Sequence, residues 1–333
     1  MARVLITGVG GTGPIATTQS LLEHSPHEVV GADMNPRAVG FHVVDECTVI
    51  PAASDDDWPA AMRDVVEEFD IDVVVPLVDE ELLRLLELKR LLSDTPIVAP
   101  RPKVVYITLD KYALAQKLAA NNLTTPKTVL ASEAERMTPE EYPLIAKPRH
   151  GRGSRGVRTL NSPEDLAPYL ADTDRARDKV ILQQRITGTE YTTSVVVTKQ
   201  DRLLGIVPKE VIEKEGNTVR GVTRDAEDVT TSCRELVEFF LPNGPLNVQQ
   251  IVSEQTGEVY TIEINPRFSS TACLTVAAGV NELDLLIRDA LGESVPSPPE
   301  FDSDLHIVRY QDQLFVKQSE LVEESEGEVI ANE

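Results

Sequence analysis

Residues 146–158, with the sequence AKPRHGRGSRGVR, are the part of this chain that says most about its fold. Five lysine and arginine side chains lie between positions 147 and 158, with three glycines among them. Glycine lets the backbone approach a ligand closely, while bare N–H groups and arginine forks donate hydrogen bonds to phosphate oxygens. The spacing differs from the Walker pattern Gly-x-x-x-x-Gly-Lys-Ser/Thr, which disfavours a P-loop fold. The stretch predicts a polyphosphate-binding loop, and a solvated basic turn is the alternative.

The rest of the chain is strongly acidic. Its 333 residues have a formal net charge of −23 and a pI near 4.6, which disfavours nucleic acids and anionic membranes as partners. No run approaches the roughly 20 apolar residues that span a bilayer. The N-terminus enters a strand pattern without the apolar core of a signal peptide. We therefore expect a cytoplasmic protein of two or three domains whose partners are small molecules.

The first hundred residues alternate short apolar strands with helices. Strands are predicted at residues 4–7, 28–32, 72–76 and 96–99, and helices at 14–23, 58–69 and 80–92. This alternation is typical of a doubly wound parallel sheet. We therefore predict an α/β domain over residues 1–105.

The pattern changes to α+β beyond this point. Helices are predicted at residues 111–121, 162–170 and 231–241, and strands at 127–131, 144–147, 180–184, 189–197, 246–253 and 258–265. We predict a second domain over residues 106–300. Residues 301–318 would contain a closing strand, at 306–316, and residues 319–333 an acidic tail that we expect to be disordered.

A second glycine-rich segment follows the first predicted strand. Residues 8–13 fit the pattern Gly-x-Gly-x-x-Gly between a strand and a helix. Asp33 lies where a dinucleotide-binding fold places the acid that binds ribose, so an NAD(P)-dependent oxidoreductase is an alternative function. The simpler interpretation is a tight turn that lets the helix pack closely on the strand. Nothing downstream resembles a hydride-transfer site, which favours the simpler interpretation.

The strand predicted at 258–265 has candidate metal ligands. Period-two alternation places Glu263 and Asn265 on one face, roughly 7 Å apart. Such oxygen ligands suit Mg²⁺ or Mn²⁺, with phosphate and water completing the octahedron; a polar, solvent-facing strand side is the alternative. A two-residue turn would pair Glu263 with Gln250 of the preceding strand, whereas a longer loop or a bulge would pair it with Gln249. The sequence pattern does not decide between the two.

In this order, the motifs resemble those of the ATP-grasp superfamily, particularly the branch that includes the large chain of carbamoyl-phosphate synthetase. The matching segments are Asp110-Lys111, residues 145–148 with the glycine-rich loop, and residues 180–190, 247–249 and 263–267. The resemblance covers about residues 110–292. It implies a Rossmann-like domain followed by one ATP-grasp fold, with a lid subdomain at about 111–183. It would explain the loop at residues 8–13 without NAD, and one unit is too short for a complete carbamoyl-phosphate synthetase.

The resemblance also implies roles for individual residues. Lys111 and Lys147 would hold the nucleotide phosphates, residues 151–156 would close over them, residues 184–186 would meet the adenine, and Glu190 the ribose. The complete implied ATP-binding set is Lys111, Lys147, Arg149, Gly151, Arg152, Gly153, Ser154, Arg155, Gly156, Gln184, Arg185, Ile186 and Glu190. The implied metal ligands are Gln249, Glu263 and Asn265, and the implied catalytic residues are Arg267 and Lys147. Gln184 stands where the family commonly has glutamate.

The implied function is that of an ATP-dependent ligase. ATP would phosphorylate a carboxylate, and an amine or thiol would attack the acyl phosphate, with release of ADP and phosphate. A bicarbonate-activating carboxylase or carbamoyl-phosphate-synthetase-like enzyme is the nearest alternative; an oxidoreductase and a non-catalytic nucleotide-binding protein are less favoured. The carboxylate and the nucleophile stay unknown, and residues 76–81 and 217–220 are candidate substrate loops. A homodimer is one option for the assembly.

The distribution of charge suggests a halophilic protein. Acidic residues are spread along the whole chain, and arginine outnumbers lysine 21 to 11. In about 1 M salt the Debye length falls to roughly 3 Å, so repulsion between surface carboxylates is screened. We expect the midpoint of thermal unfolding, followed by circular dichroism, and the solubility to rise between about 0.1 M and 1 M KCl. A fall in both the midpoint of thermal unfolding and the solubility at the higher salt concentration would contradict the halophilic hypothesis.

Overall fold

A computed structural model describes residues 1–318, residue 321 and the backbone of residues 330–331. Within these residues the strands form three sheets, of five, six and four strands. The five-stranded sheet is built mainly from the first hundred residues, and the other two from the chain that follows. The predicted class, an α/β part followed by an α+β part, is confirmed.

The N-terminal part is a parallel sheet with helices. Its elements are β1 (Arg3–Thr7), α1 (Thr12–His24), β2 (Glu28–Asp33), β3 (Glu46–Val49), α2 (Trp58–Glu68), β4 (Val73–Val75), α3 (Asp79–Leu82) and α4 (Leu85–Leu91). The sheet order is β3-β2-β1-β4, all parallel. Leu5 of β1 belongs to one hydrophobic core, while its neighbours Val4 and Ile6 belong to another. Both faces of the strand are therefore covered, which explains its continuous apolar sequence.

Three details of this part differ from the prediction. The strand β3 was not predicted, and the strand expected at 96–99 is reduced to one bridge between Val74 and Ile97. The helix expected at 80–92 is divided into α3 and α4 at Arg84, which has a non-helical backbone and stacks its guanidinium over Trp58 of α2. These differences arise from contacts with distant residues, which local periodicity does not contain.

The second part contains the remaining elements. They are α5 (Pro102–Leu109), α6 (Lys111–Ala119), β5 (Thr128–Leu130), β6 (Leu144–Pro148), β7 (Arg158–Leu160), α7 (Leu166–Thr173), β8 (Val180–Gln184), β9 (Gly188–Val197), β10 (Leu203–Glu215), β11 (Asn217–Thr223), α8 (Glu227–Phe240), β12 (Leu246–Ser253), β13 (Val259–Asn265), α9 (Ala272–Ala277), α10 (Glu282–Ala290) and β14 (His306–Val308). The four-stranded sheet has the order β5-β8-β6-β7, and the six-stranded sheet the order β13-β12-β9-β10-β11-β14.

The hairpin of β10 and β11 is the largest element that the sequence pattern did not predict. Gly205 and Pro208 within β10 argue against a strand in sequence, but β10 pairs with β9 on one side and β11 on the other. The candidate substrate loop at 217–220 therefore lies in β11. Helices α5, α9 and α10 were also not predicted.

The C-terminal region differs from the prediction in length. The strand expected at 306–316 covers only β14, because β11 offers partners to just these three residues. Most of the predicted acidic tail, 319–333, lies outside the described residues. Residues 330–331 form a further short strand, β15 (Ile330–Ala331), antiparallel to β3. No helix in the described part of the chain is long and apolar enough to cross a membrane.

Candidate active site

A cavity of about 320 Å³ opens between the four-stranded and six-stranded sheets. Most residues that the sequence assigned to a nucleotide, a metal ion or phosphoryl transfer line this cavity. They are Lys111, Lys147, Gly151, Arg152, Gly153, Ser154, Arg155, Gln184, Arg185, Ile186, Glu190, Gln249, Glu263, Asn265 and Arg267. The fold thus brings residues from distant parts of the chain around one space.

Lys147 is the buried cation of this cavity. It lies on β6, only 6% exposed, and its Nζ is 3.4 Å from the carbonyl oxygen of Ile262 on β13. Burial disfavours the charged ammonium and lowers the pKa of Lys147 to about 8, although the nearby Glu263 carboxylate opposes this shift. A bound anion would therefore stabilise the charged form of this side chain.

The glycine-rich loop connects β6 to β7 beside the cavity. Gly151, Gly153 and Gly156 have φ angles of 134°, 64° and 75°, which side chains other than glycine rarely adopt. A Cβ added to Gly216, in the turn of the β10–β11 hairpin, would lie 3.5 Å from the carbonyl oxygen of Gly153. The loop tip therefore reaches the hairpin of the other sheet and covers one side of the cavity.

Two predicted nucleotide contacts lie at the base of this loop, outside the cavity wall. Arg149 donates to Asp110 from Nε at 2.8 Å and from Nη2 at 2.6 Å, and Asp110 also caps α6. Burial of Asp110 raises its pKa, but hydrogen bonds from Arg149 and from the backbone outweigh this and hold the pKa below its usual value. Gly156 accepts a hydrogen bond from the Tyr169 hydroxyl at 2.7 Å. Both residues thus fix the ends of the loop.

The candidate metal ligands come from β12 and β13. The register pairs Gln249 with Glu263, and a bulge follows Gln249. Gln249 therefore lines the cavity with Glu263 and Asn265, whereas Gln250 is fully buried behind the sheet. Of the two pairings that the sequence pattern left open, the structure therefore has the bulged one, in which Gln249 is opposite Glu263.

This donor set fits magnesium. It supplies one carboxylate and two amide oxygens, and Mg²⁺ usually completes its octahedron with phosphate and water. In the described residues no group of three or more histidines, cysteines and acids could hold a metal ion by itself. The Nζ of Lys111 lies 3.6 Å from Glu263 Oε1. Cations and the candidate metal-ligand oxygens are therefore side by side in the cavity.

Further residues of the cavity wall lie on β8, on β9 and on the β10–β11 hairpin. Gln184 ends β8, and residues 185–186 follow it. Glu190 on β9 forms an ion pair of 2.6 Å with Lys214. Asn217 of the candidate substrate loop 217–220 also lines the cavity. Further lining residues to which the sequence assigned no role are Ile145, Ile251, Ile262, Lys214, Gly216, Asn247 and Ser270. Lys214, Gly216 and Asn217 belong to the unpredicted hairpin. The apolar isoleucines had the alternating pattern of ordinary strands, which carries no signal of a ligand.

The other glycine-rich segment, residues 8–13, makes mainly structural contacts. Asp33 accepts hydrogen bonds from the N–H groups of Gly10 at 2.7 Å and Asn35 at 2.9 Å. A Cβ on Gly13 would lie 3.0 Å from the Cβ of Ser270, so α1 begins against the segment after β13. Since Asp33 binds its own loop, these contacts favour the tight-turn interpretation over an NAD(P) site.

Arg267 lies at the junction of the N-terminal part and the cavity. It follows β13, and its Nε donates to Asp79 Oδ1 of α3 at 2.6 Å. Its Nη1 donates to the carbonyl oxygen of Phe268 at 3.2 Å. The side chains of Arg267 and Asp79 are 17% and 14% exposed. The predicted phosphoryl-binding arginine is thus held by a carboxylate of the N-terminal part.

Comparison with protein families agrees with this arrangement. Residues 108–271 match the family model of the ATP-grasp domain, and residues 4–98 match that of the PylC-like, N-terminal domain. The chain belongs to the ATP-grasp superfamily. The predicted superfamily and the predicted enzyme class, an ATP-dependent ligase, are therefore confirmed.

Individual relatives extend over most of this ATP-grasp chain. Carbamoyl-phosphate synthase of Methanobrevibacter smithii is 24% identical over 286 residues, which cover 80% of this chain and 75% of the relative. D-alanine–D-alanine ligase of Petrotoga mobilis is 25% identical over 221 residues, 62% of this chain and 68% of the relative. The biotin carboxylase domain dimer of Hydrogenobacter thermophilus 2-oxoglutarate carboxylase, solved with MgADP and bicarbonate, has a TM-score of 0.69 at 17% identity, covering 88% of this chain and 70% of that chain. This last likeness shows the shared fold.

The two neighbouring glutamines of β12 give a test of the register. Gln250 donates to Ser232 at 2.8 Å and accepts from Cys233 at 3.3 Å in the core, so Gln250→Ala leaves buried polar groups unpaired. We expect this variant to lower the free energy of unfolding by about 1–3 kcal/mol. The matched variant Gln249→Ala should change it by less than about 0.5 kcal/mol. Urea unfolding measures both, and a larger loss for Gln249→Ala would contradict the observed register.

Proposed function

We propose that this ATP-grasp enzyme binds MgATP in the cavity and transfers the terminal phosphoryl group to a carboxylate substrate. An amine or thiol then attacks the acyl phosphate, and ADP and phosphate are released. The observation that supports this most is the convergence of Lys111, Lys147, Glu263 and Arg267 on one cavity beside a glycine-rich loop.

The distribution of charge supports one orientation of the nucleotide. The adenine would lie near residues 184–186 and the apolar Ile145 and Ile251, while the phosphates would lie near Lys111 and Lys147. Lys147 is buried and its pKa is lowered, so a phosphate supplies the negative charge that it lacks. The ribose would meet Glu190, whose carboxylate is held by Lys214.

Gln249, Glu263 and Asn265 would hold the Mg²⁺ or Mn²⁺ ion. When bound, the ion neutralises charge on the phosphate oxygens during transfer. The protein then has little covalent chemistry to perform: Lys147 and Arg267 stabilise charge on the transferred group, and the cavity wall aligns the reactants. This division of work is typical of phosphoryl transfer.

The glycine-rich loop would protect the intermediate from water. Its tip lies close to the turn at Gly216, and its base is fixed by Asp110 and Arg149. An acyl phosphate hydrolyses readily, so a loop that closes over the site favours attack by the intended nucleophile over attack by water. The positive φ angles of its glycines give the loop the backbone shape for this covering position.

A bicarbonate-activating reaction is the second candidate. The similarity to carbamoyl-phosphate synthase over 80% of this chain favours it, as does the fold shared with a carboxylase domain solved with bicarbonate. In that case bicarbonate replaces the carboxylate as the phosphoryl acceptor.

We further propose that the enzyme acts on small molecules in a salt-rich cytoplasm. A homodimer is one option for its assembly.

A screen of ADP release separates these candidates. Purified enzyme is mixed with MgATP and with carboxylates, amines and thiols in pairs, and ADP is followed by a coupled assay. Bicarbonate-stimulated ADP release without another carboxylate would identify the second candidate. Formation of AMP and pyrophosphate would refute the acyl-phosphate mechanism.

Two substitutions test the phosphoryl-transfer site. Lys147→Ala removes a buried cation, and Glu263→Ala removes the carboxylate ligand, so each should lower the rate of ATP turnover about 100-fold or more. Circular dichroism should show that both variants remain folded. The control Lys103→Ala changes an exposed lysine of α5 and should keep the wild-type rate. Near-normal turnover in either site variant would refute the assignment.

The lowered pKa of Lys147 predicts a pH-dependent uptake of protons. Below pH 8 the ammonium is already charged, and above pH 8 it is mostly neutral in the free protein. Phosphate favours the charged form, so MgADP binding at about pH 9 should take up close to one proton, and the affinity should fall as the pH rises through 8. Calorimetry in buffers of different ionisation enthalpy measures this uptake.

The variant Lys147→Met is the control for this experiment. It should bind MgADP more weakly and without the proton uptake. Lys209 also has a pKa lowered to about 8 by burial, but it donates to Ser194 and Thr275 away from the cavity and should not contribute. Undiminished proton uptake in Lys147→Met would contradict the role of Lys147.

A further inference from the structure

The helix α3 presents acidic side chains to two arginines of the candidate active site. It begins at Asp79, four residues after the end of β4. Asp79 accepts a hydrogen bond from Arg267 Nε at 2.6 Å, and Glu80 lies 3.4 Å from Arg152 on the glycine-rich loop. The first pair is mostly buried, whereas the second is about half exposed. Because exposed ion pairs contribute little, Asp79 is the residue of interest.

The hydrogen bonds of Arg267 fix the plane of its guanidinium. Nε is held by Asp79 and Nη1 by the carbonyl oxygen of Phe268. In the described residues Nη2 has no hydrogen-bond partner, and the Arg267 side chain lines the cavity. A planar guanidinium with two of its three nitrogens fixed has little freedom to rotate, so the position of the third is defined.

We propose that Asp79 is a positioning residue for phosphoryl transfer. Its carboxylate holds Arg267 so that Nη2 remains free for the transferred phosphoryl group. The phosphoryl end of the cavity would then be complete only when the N-terminal part is in contact with the ATP-grasp part. This inference rests on the proposed function, because it assumes that Arg267 binds the transferred group.

Other contacts hold the two parts together without Asp79. His27 lies 3.0 Å from Asp284 of α10, and Asn217 donates to Thr12 at 2.8 Å. Arg101 also pairs with Asp201. Removal of Asp79 should therefore leave the two parts docked, and its main effect should fall on the orientation of Arg267.

The test uses MgADP with orthovanadate, an anion that can occupy the position of the transferred phosphoryl group. The affinity for MgADP is measured by calorimetry with and without orthovanadate. In the wild type we expect orthovanadate to tighten MgADP binding about 10-fold or more. In Asp79→Ala the tightening should fall below 2-fold, while the affinity for MgADP alone should stay within 2-fold of the wild type. If Asp79 had a purely structural role, its removal would not reduce the tightening by orthovanadate while leaving the affinity for MgADP alone unchanged.

Four further variants complete the experiment. Asp79→Asn keeps an oxygen acceptor for Nε and should recover part of the orthovanadate effect, which also covers the case in which Asp79→Ala unfolds. Arg267→Ala should resemble Asp79→Ala, and the double variant should be no worse than either single one, because both changes remove one interaction. The control Glu67→Gln, at an exposed position of α2, should behave as the wild type.

The outcomes separate this proposal from the proposed function. Failure of the wild type to bind MgADP would refute the nucleotide site itself. If MgADP binds normally but orthovanadate tightens it equally in wild type and in the Asp79 variants, only the role of Asp79 is refuted. Absence of any orthovanadate effect in the wild type would also overturn it, because Arg267 would then not bind the transferred group.

Discussion

A buried lysine ammonium without a carboxylate partner of its own is the constraint on which the candidate site depends. In the described part of the chain, Lys147 has only a carbonyl oxygen as its hydrogen-bond partner, and burial lowers its pKa to about 8. Glu263, the acid that most favours the charged form of Lys147, forms an ion pair of 3.6 Å with Lys111. In the proposed function an incoming phosphate would supply the missing negative charge. The basic glycine-rich loop also stands out because the rest of the chain is strongly acidic.

The four-stranded and six-stranded sheets contribute different parts of the cavity. The four-stranded sheet supplies Lys147 and, at its edge, the glycine-rich loop, while the six-stranded sheet supplies the oxygen ligands of β12 and β13. The N-terminal part contributes Asp79, which reaches the site through Arg267. This arrangement explains why the segment after β4 is rich in acids although the cavity is rich in cations. Asp79 and Glu80 pair with Arg267 and Arg152 of the site, whereas the buried Glu81 accepts a hydrogen bond from Thr7.

The sequence pattern predicted well those elements whose own residues favour the secondary structure that they adopt in the fold. The strands β8 and β12 have their predicted bounds, because apolar runs bounded by turn residues leave few alternatives. The hairpin of β10 and β11 was missed because Gly205 and Pro208 oppose a strand locally, and only its pairing with β9 makes the strand stable. The helix division at Arg84 was also missed, and there the Arg84 guanidinium contacts Trp58 of α2, a contact that local periodicity does not contain.

The sequence by itself determined the superfamily, the order of the motifs and most of the side chains around the cavity, because these depend on residue type and spacing. Only the tertiary structure decided that Gln249 and not Gln250 faces the cavity, since a bulge of one residue reverses the side of a strand. It also decided that Arg149 fixes the loop base and that Asp79 holds Arg267. Such pairings join residues that are distant in sequence, and no local pattern records them.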